Sequence, residues 1–478
     1  MTSFNYITSF FLFLTIFSLS DAGFIGINYG RIANDLPSPT SVVQLLKTQG
    51  INKVKLYDTE PTVLKALSGS NISVVVALPN ELLSNASQSQ SFANDWVKNN
   101  ILAYYPSTQI ETIAVGNEVF VDPNNTTMFL VPAMKNIHSA LVNSSLDSNI
   151  KISSPIALSC LASSYPSSSG SFKPELIQPV ITPMLDFLRS SGSYLMVNAY
   201  PYFAYEGNAD VISLDYALFR ENSGQVDSGN GLKYVSLMDA QLDAVYAAMS
   251  ALKYDDLKMV VSETGWPSKG DESETGAGQD NAAAYNGNLV RRVLTGGGTP
   301  LRPKQDLEVY LFALFNENQK TGPTSEKNYG LFYPSEQKVY NIPLTVAGLA
   351  GWNGGKTQST PTPSPSPSPV NNSGGDGGGT VSTSGVGHTW CVANGKLGVK
   401  KLQTGLDYAC GEGGADCSQI QPGATCYDPN TIEAHATFAF NSYYQKKNRA
   451  MGTCDFGGAA FVVTQAPKFG KCQLSPGN

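Results

Sequence analysis

Two glutamates in this sequence occupy equivalent positions, each after a short apolar run rich in β-branched residues. Glu118 ends the segment Thr112-Ile-Ala-Val-Gly-Asn-Glu118, and Glu263 ends Met259-Val-Val-Ser-Glu263. Such runs predict buried strands of a parallel sheet, and in a barrel of these strands the active site lies at their C-terminal ends. A pair of carboxyl groups there, one protonated and one ionised, is suited to cleaving a glycosidic bond.

Polar and aromatic residues near the same strand ends are candidates for binding sugar. An amide beside a reacting carboxyl group can bind a sugar hydroxyl, and aromatic rings in a cleft stack on sugar faces. The substrate-binding candidates are Tyr57, Asn117, Tyr200, Phe203, Trp266, Glu317, Lys320 and Glu326. Two alternatives stay open, because the charged residues also suit an exposed loop ion pair and the rings also suit the core.

The elements that would position these residues alternate between strand and helix. Helical spacing is seen in 39–48, 91–104 and 236–249, between the strand candidates. The strand candidates are Phe24–Tyr29, Asn52–Tyr57, Ser73–Leu78, Thr112–Glu118, Lys151–Ile156, Tyr194–Tyr202, Leu257–Glu263 and Leu307–Asn316. Eight strands alternating with helices predict an α/β fold, a (β/α)8 TIM barrel. An open doubly wound sheet is the alternative, but no Gly-rich phosphate loop follows the first strand.

Composition divides the chain into four segments. We expect a signal peptide over 1–22, a hydrolase domain over 23–350, a Pro/Ser/Thr/Gly-rich linker over 351–387 and a small disulfide-rich α+β domain over 388–478. The leader has an apolar core from Phe10 to Leu19, too short to span a bilayer, and small residues before position 23 for cleavage. The alternating prolines after Thr360 predict an extended, semi-rigid connection.

These features predict secretion to the extracellular space or the cell wall. No second long apolar run follows the leader, and the C-terminal residues lack the hydrophobic tail of a lipid-anchor signal, so we expect no membrane anchor. Glycosylation sequons fit the same route. They begin at Asn71, Asn85, Asn124, Asn125, Asn143 and Asn371.

Charge and motif content exclude several function classes. The net charge is −7 and only 14% of the residues are charged, so nucleic acid is not an expected partner. There is no His-Glu-x-x-His, Walker-type loop or Gly-x-Ser-x-Gly elbow, and the three histidines are far apart in the sequence. We therefore predict no metal and no cofactor, and we expect a monomer that binds a neutral polysaccharide.

The cysteines also divide the chain. Cys160 stands alone in the first 390 residues, and the other six lie between Cys391 and Cys472. An even set in a short secreted segment predicts a disulfide framework, although six cysteines allow fifteen pairings. We expect Cys160 to be an inert core thiol.

Five motifs resemble the plant endo-1,3-β-glucanases of glycoside hydrolase family 17. They are Gly26-Ile-Asn-Tyr-Gly-Arg31, Val115-Gly-Asn-Glu118, Asn198-Ala-Tyr-Pro-Tyr-Phe203, Val261-Ser-Glu-Thr-Gly-Trp-Pro-Ser268 and Leu314-Phe-Asn-Glu-Asn-Gln-Lys320. The resemblance covers 24–345 and implies retaining hydrolysis of β-1,3-glucan, with Glu118 as acid/base and Glu263 as nucleophile. For a retaining enzyme the two carboxyl groups should lie about 5–5.5 Å apart.

The C-terminal segment resembles the X8 domain, or carbohydrate-binding module family 43. The similar motifs are Thr389-Trp-Cys-Val-Ala393, Tyr408-Ala-Cys410, Asp416-Cys417, Cys426 and Phe438-Ala-Phe-Asn-Ser-Tyr-Tyr444. The resemblance implies the disulfides Cys391–Cys454, Cys410–Cys417 and Cys426–Cys472. Trp390, Tyr443 and Tyr444 are candidates for stacking on glucan, or equally for the core of so small a domain.

The functional prediction is a secreted endo-hydrolase of 1,3-β-glucan, such as callose or laminarin, with a tethered glucan-binding module. One alternative is a related enzyme that cleaves mixed 1,3-1,4-glucan or transfers the glycosyl group to another sugar. Another is a non-catalytic callose-binding wall protein, which the presence of both glutamates disfavours.

Overall fold

The computed structural model describes most of the chain. The described residues are 23–352, 354, 389–394, 398–411, 413–447, 449, 453–454, 456, 459–463, 467, 472 and 474. The predicted signal peptide, most of the predicted linker and the sequon at Asn371 lie outside the described residues. The chain divides into two compact units, 1–360 and 361–478.

The first unit is built on one parallel sheet. Its strands are β1 Ile25–Asn28, β2 Lys53–Lys55, β3 Ser73–Leu78, β4 Gln109–Val115, β5 Lys151–Ser153, β6 Pro155–Ala157, β7 Leu195–Asn198, β8 Met259–Thr264 and β9 Val309–Leu311. Neighbours follow the order β5-β4-β3-β2-β1-β9-β8-β7-β6, and every pair is parallel. Only Ser154 separates β5 from β6, so the two edges of the sheet belong to one chain segment. The predicted (β/α)8 barrel is confirmed, with its fifth strand divided in two.

Helices follow the strands and cover the outside of the sheet. The α-helices are Pro39–Thr48, Pro61–Ala66, Leu83–Gln88, Gln90–Val97, Leu130–Asn143, Pro174–Leu176, Thr182–Ser190, Pro201–Glu206, Leu214–Ala217, Leu237–Ala251 and Gln279–Leu294. The first begins where the sequence predicts, because Pro39 occupies the first turn and the Ser38 side chain accepts a hydrogen bond from the backbone N–H of Ser41 at 3.2 Å. Two short antiparallel hairpins, 161–172 and 225–234, lie between the strands.

Several predicted strands extend further in the sequence than in the structure. The fourth stops at Val115, because Gly116 has φ +68° and Glu118 has φ +50°, which turn the chain out of the sheet. The sixth stops at Asn198 and is followed by the helix Pro201–Glu206, and the eighth includes only 309–311. Several site residues therefore lie on turns just beyond the strand ends.

The strands present alternate residues to the two faces of the sheet. Val74 and Val76 belong to the large core cluster, whereas Val75 belongs to a separate buried cluster drawn from β3, β4, β7, β8 and β9. A cluster shared by facing strands is the filled interior of a barrel. In β2, Val54 belongs to the outer core, so Lys53 and Lys55 point into the interior.

The second unit is small and cross-linked. The strands β10 Trp390–Ala393 and β11 Ala460–Val463 pair antiparallel, and the α-helices are Val399–Cys410 and Ile432–Lys446. Disulfides join Cys391 to Cys454, Cys410 to Cys417 and Cys426 to Cys472, which is the pairing that the X8 resemblance implies. The predicted disulfide-rich α+β domain is confirmed. In the described part of the chain, no helix combines the length and apolar character needed to cross a membrane.

Candidate active site

A cleft of about 930 Å3 opens at the C-terminal ends of the barrel strands. Glu118 and Glu263, 145 residues apart in sequence, both line it. Most of the predicted substrate-binding residues line it too. These are Tyr57, Asn117, Tyr200, Phe203, Glu317, Lys320 and Glu326. The structure thus brings the two predicted catalytic residues and seven predicted binding residues to one site.

Glu118 is directed into the cleft by an unusual turn after β4. Its φ of +50° lies in the left-handed region, which non-glycine residues rarely adopt. The turn is held because the Asn80 side chain accepts from the Asn117 N–H at 2.7 Å and donates to the Asn117 carbonyl at 3.0 Å. The Glu118 N–H donates to the carbonyl of Pro155 on β6 at 3.0 Å. Neighbouring strands therefore hold this turn in place.

The surroundings of Glu118 favour a protonated carboxyl group. Burial raises its pKa, and the negative charge of Glu263 raises it further. The Asn198 amide, which donates to Oε1 at 2.9 Å, and the positive charge of Lys55 oppose the rise without cancelling it. Asn198 is itself oriented by the Ser262 hydroxyl, which donates to its Oδ1 at 2.7 Å. A raised pKa is what a general acid requires near neutral pH.

Glu263 lies deeper and has the opposite character. A bulge in β8 between Val261 and Glu263 re-aims the side chains there, and Glu263 is only 6% exposed. Its Oε1 accepts from Lys55 Nζ at 2.9 Å and its Oε2 accepts from the Tyr200 hydroxyl at 2.9 Å. Burial alone would raise its pKa, but the charge of Lys55 and hydrogen bonds from Lys55 and nearby tyrosines outweigh burial and lower it. This carboxylate stays ionised, as a nucleophile must.

Lys55 and Asn28 were not predicted from the sequence. The Asn28 amide donates to the carbonyls of Ser262, Tyr310 and Leu311 on β8 and β9 at 3.0–3.3 Å. Its Oδ1 accepts from Lys55 Nζ at 3.3 Å and from the Tyr57 hydroxyl at 3.0 Å. A lysine flanked by Val54 and Leu56 in an apolar strand was the available signal, because a buried lysine needs a partner.

The charged residues after β9 lie at the rim of the cleft. Lys320 Nζ is 3.8 Å from a carboxylate oxygen of Glu317 and 3.8 Å from one of Glu326. Glu317 also accepts from the Ile32 N–H at 2.8 Å, and burial raises its pKa. Glycine at position 30 leaves room for this carboxylate, since a Cβ there would lie 2.5 Å from Glu317 Oε1.

Aromatic rings form one wall of the cleft. Tyr200 packs against Phe203, Phe312 and Tyr329, with ring centroids 5.5, 6.2 and 5.8 Å away. Phe203 is 44% exposed, so its ring is available to stack on a sugar. Phe312 and Tyr329 were not predicted as site residues, although both line the cleft.

The prediction that Trp266 binds substrate was wrong. The residue is fully buried and does not line the cleft. Its indole N–H donates to the Gly276 carbonyl at 2.8 Å, and its ring packs between Tyr202 and Tyr285 at 5.2 and 5.4 Å. The residue supports the loop after β8 from behind.

The aromatic candidates of the second unit occupy different environments. Tyr444 is 6% exposed and belongs to the core, with its hydroxyl 3.0 Å from that of Thr389, which corrects its prediction as a stacking residue. Trp390 is half-buried, and its indole N–H donates to the Leu474 carbonyl at 3.2 Å. Tyr443 is half-buried and lies 5.9 Å from the ring of Tyr408, which is 46% exposed and was not predicted.

Outside the cleft, the free cysteine belongs to the hydrophobic core. Cys160 is a buried free thiol, and burial raises its pKa to about 12, so it is not a nucleophile at neutral pH. Among the residues that the structure describes, no group of three or more His, Cys, Asp or Glu side chains is arranged to hold a metal ion.

A (β/α)8 barrel whose cleft holds two carboxyl groups of opposite pKa shift defines a barrel glycoside hydrolase. Residues 25–344 match the family model of the Glycosyl hydrolases family 17, and residues 389–461 match that of the X8 domain. The chain therefore belongs to glycosyl hydrolase family 17 and carries an X8 domain.

Named relatives span nearly the whole chain. Glucan endo-1,3-beta-glucosidase 12 of Arabidopsis thaliana is 43% identical over 97% of this chain and 87% of its own length. Glucan endo-1,3-beta-D-glucosidase of Olea europaea is 37% identical over 98% of this chain and 97% of its own.

Solved structures match the barrel. A beta-1,3-glucanase and pollen allergen of Cryptomeria japonica superposes with a TM-score of 0.65 at 44% identity, over 67% of this chain and 99% of that one. One of two plant beta-glucan endohydrolases with distinct substrate specificities gives 0.62 at 42% identity, over 66% and 99%.

Proposed function

We propose that this chain is an endo-hydrolase of 1,3-β-glucan that retains anomeric configuration. The observation that carries the proposal is the pair of buried carboxyl groups with opposite pKa shifts in one cleft. The names of the relatives support the linkage, since they are glucan endo-1,3-beta-glucosidases.

The reaction takes two steps. Glu118 donates its proton to the departing glycosidic oxygen while ionised Glu263 attacks the anomeric carbon and forms a glycosyl-enzyme. Glu118, now a carboxylate, takes a proton from water, which attacks the same carbon and releases Glu263. Asn117 and the group Glu317, Lys320 and Glu326 bind sugar hydroxyls beside the reacting bond.

The proposed domain bounds are those of the sequence prediction: 1–22, 23–350, 351–387 and 388–478. The two family matches support them, because 25–344 and 389–461 fall within the second and fourth segments. We propose that the X8 domain binds glucan and that the linker holds the barrel close to an insoluble polymer, which raises its local concentration. Tyr443 and Tyr408 are the proposed stacking rings.

The predicted leader and the X8 domain support a secreted protein of the extracellular space or wall. We propose that it acts as a monomer, without nucleic acid or a cofactor. The polysaccharide itself is the partner.

The first test is sugar release from laminarin by wild type, Glu263→Gln and the control Glu272→Gln. Glu272 is exposed on a loop, so its variant should match wild type. We expect oligosaccharides from wild type and the control only, with the first product in the β configuration by NMR. Initial release of the α anomer would contradict retention. Release from mixed-linkage glucan but not from laminarin would instead favour the alternative substrate.

The module is tested in the full chain by Tyr408→Ala and Tyr443→Ala. Activity on soluble laminari-oligosaccharides should stay at the wild-type level, while activity on insoluble glucan falls. An equal fall on both substrates would contradict a binding role for these rings.

A further inference from the structure

Lys55 is buried beneath the cleft and does not line it. The residue is 1% exposed, and its Nζ lies 2.9 Å from Glu263 Oε1 and 3.9 Å from the centroid of the Tyr57 ring. Glu263 lines the cleft, where a sugar can reach it, whereas Lys55 is not among the lining residues. Lys55 therefore acts on the reaction through the Glu263 carboxylate that it contacts and, at longer range, through the effect of its charge on Glu118.

The position of Lys55 is fixed by the barrel. Asn28 uses its amide group to donate to three backbone carbonyls, so its Oδ1 has a single orientation, toward Lys55 and Tyr57. Lys55 in turn engages Oε1 of Glu263, and Tyr200 engages Oε2. Each carboxylate oxygen has its own fixed donor.

We infer that Lys55 is a positioning residue whose charge serves mainly the second step, in which the glycosyl-enzyme is hydrolysed. The inference rests on the proposed function, because it assumes that Glu263 forms a covalent intermediate. The charge of Lys55 then helps Glu263 to leave the sugar in the second step rather than to attack it in the first.

The charge on Glu263 changes in opposite directions in the two steps. In the first, an oxygen of Glu263 bonds to the anomeric carbon, the glycosidic bond breaks, and the Glu118 proton goes to the departing oxygen. Glu263 becomes a neutral ester, and Lys55 loses its anionic partner. In the second, water oxygen bonds to the anomeric carbon, a water proton goes to Glu118, and the ester bond breaks with its electron pair returning to Glu263.

A cation beside Oε1 therefore acts differently on the two steps. It stabilises the charge that returns to Glu263, which makes the carboxylate a better leaving group. It also makes the free carboxylate less basic, which does not favour attack. Removing Lys55 should slow the second step more than the first.

Other groups around Glu263 do not substitute for Lys55. The charged and titratable groups that face it are Lys55, Tyr57, Glu118, Tyr200 and Glu317, and Lys320 is near enough for its charge to act on Lys55. Within the described part of the chain, Lys55 is the one cation in an ion pair with Glu263. Loss of its charge leaves neutral hydroxyls and two further carboxyl groups.

The same strand supplies a matched control. Lys53 also points into the barrel and pairs with a carboxylate, Glu111, at 2.6 Å, but it does not line the cleft. Lys53→Met and Lys55→Met each remove the cation of an ion pair on β2, although the Lys53–Glu111 pair is more exposed, at 22% and 29%, than the Lys55–Glu263 pair, at 1% and 7%. Only the second variant touches the proposed nucleophile.

The experiment uses 2,4-dinitrophenyl β-laminaribioside, whose good leaving group makes the second step rate-limiting. For Lys55→Met, kcat should fall roughly 10- to 100-fold, KM should fall with it, and kcat/KM should change little at its optimum pH. Intact mass should show a laminaribiosyl adduct at steady state. The acid limb of kcat/KM should move to higher pH, because Glu263 without the cation has a higher pKa. Lys53→Met should show neither the adduct nor the moved limb.

Equal falls in kcat and kcat/KM without an adduct would overturn the inference, since a structural defect has that effect. If Lys55→Met does not fold, Lys55→Gln, which removes the charge but keeps a hydrogen-bond donor, is put through the same assays. A fall in its kcat without a laminaribiosyl adduct would overturn the inference. A wild type inactive on both laminarin and the aryl glycoside would instead overturn the proposed function.

Discussion

The two sides of the cleft give the same side chain opposite properties. Glu118 is half-buried on a left-handed turn, and its polar side-chain contact is the Asn198 amide. Glu263 is almost fully buried in a bulged strand, with a cation on one oxygen and a hydroxyl on the other. Burial raises the pKa of both, and only Glu263 has a cation close enough to reverse that effect.

This difference shows which parts of the barrel distinguish the two proposed catalytic residues. The sequence of its own strand does not distinguish either glutamate, since both come at the end of an apolar run rich in β-branched residues. The distinction comes from β2, which contributes Lys55 to one side, and from β7, which contributes Asn198. Substituting the side chains that contact Glu118 and Glu263 tests whether these neighbours set the difference between the two glutamates.

The largest effect should come from removing Glu263. Glu263→Ala should lower hydrolysis of laminarin roughly 10,000-fold or more, because no covalent intermediate can form. Azide, added with an activated glycoside, should enter the vacated space and give a glycosyl azide of α configuration. A β product identified by NMR would show that the nucleophile is elsewhere.

Removing the acid should have a smaller effect that depends on the substrate. Glu118→Gln should reduce hydrolysis of laminarin about 100- to 10,000-fold, since the departing oxygen loses its proton donor. The first release of dinitrophenolate should be nearly unaffected, because that leaving group needs no proton. Stopped-flow measurement of the burst separates the steps, and an equal loss with both substrates would contradict the role of acid.

Removing the hydrogen bond from Asn198 to Glu118 should move the basic limb of the pH profile of kcat/KM. Asn198 donates to the carboxylate and so stabilises its ionised form, which means that Asn198→Ala should raise the pKa of Glu118. The basic limb of kcat/KM should move to higher pH, with about a tenfold loss at the optimum. Ser262→Ala, which acts through Asn198, should move the limb less and in the same direction. A shift to lower pH would contradict this account.

The sequence alone was enough to locate most strands along the chain and to predict that Glu118 and Glu263 lie at strand ends. Residues at strand ends can be found from short local patterns, and the barrel then brings them together whatever their separation. Lys55 and Asn28 could not be placed in this way, because their roles depend on contacts across the barrel, with Glu263 for Lys55 and with carbonyls of β8 and β9 for Asn28. Their contacts depend on side-chain direction across the barrel, which local patterns do not specify.

The burial of aromatic residues also could not be predicted from local sequence patterns. Trp266 and Phe203 both follow strand ends, yet one is fully buried behind a loop and the other is 44% exposed in the cleft. In the second unit, Tyr443 and Tyr444 are adjacent on one helix and differ in the same way, because neighbours on a helix face different directions. Residue type alone does not distinguish a stacking ring from a core ring.

The smallest predicted effect concerns the second donor to Glu263. Tyr200→Phe removes the hydroxyl that bonds Oε2 but keeps the ring against Phe203. The ionised form of Glu263 loses one hydrogen bond, so its pKa should rise and the acid limb of kcat/KM should move to higher pH, by less than in Lys55→Met. The loss at the optimum should be about three- to tenfold. Tyr329→Phe is the control, because the buried Tyr329 hydroxyl has no hydrogen-bond partner among the residues that the structure describes and its ring lies 5.8 Å from Tyr200. A limb that moves equally in both variants would mean that the aromatic wall, not the hydroxyl on Oε2, sets the pKa of Glu263.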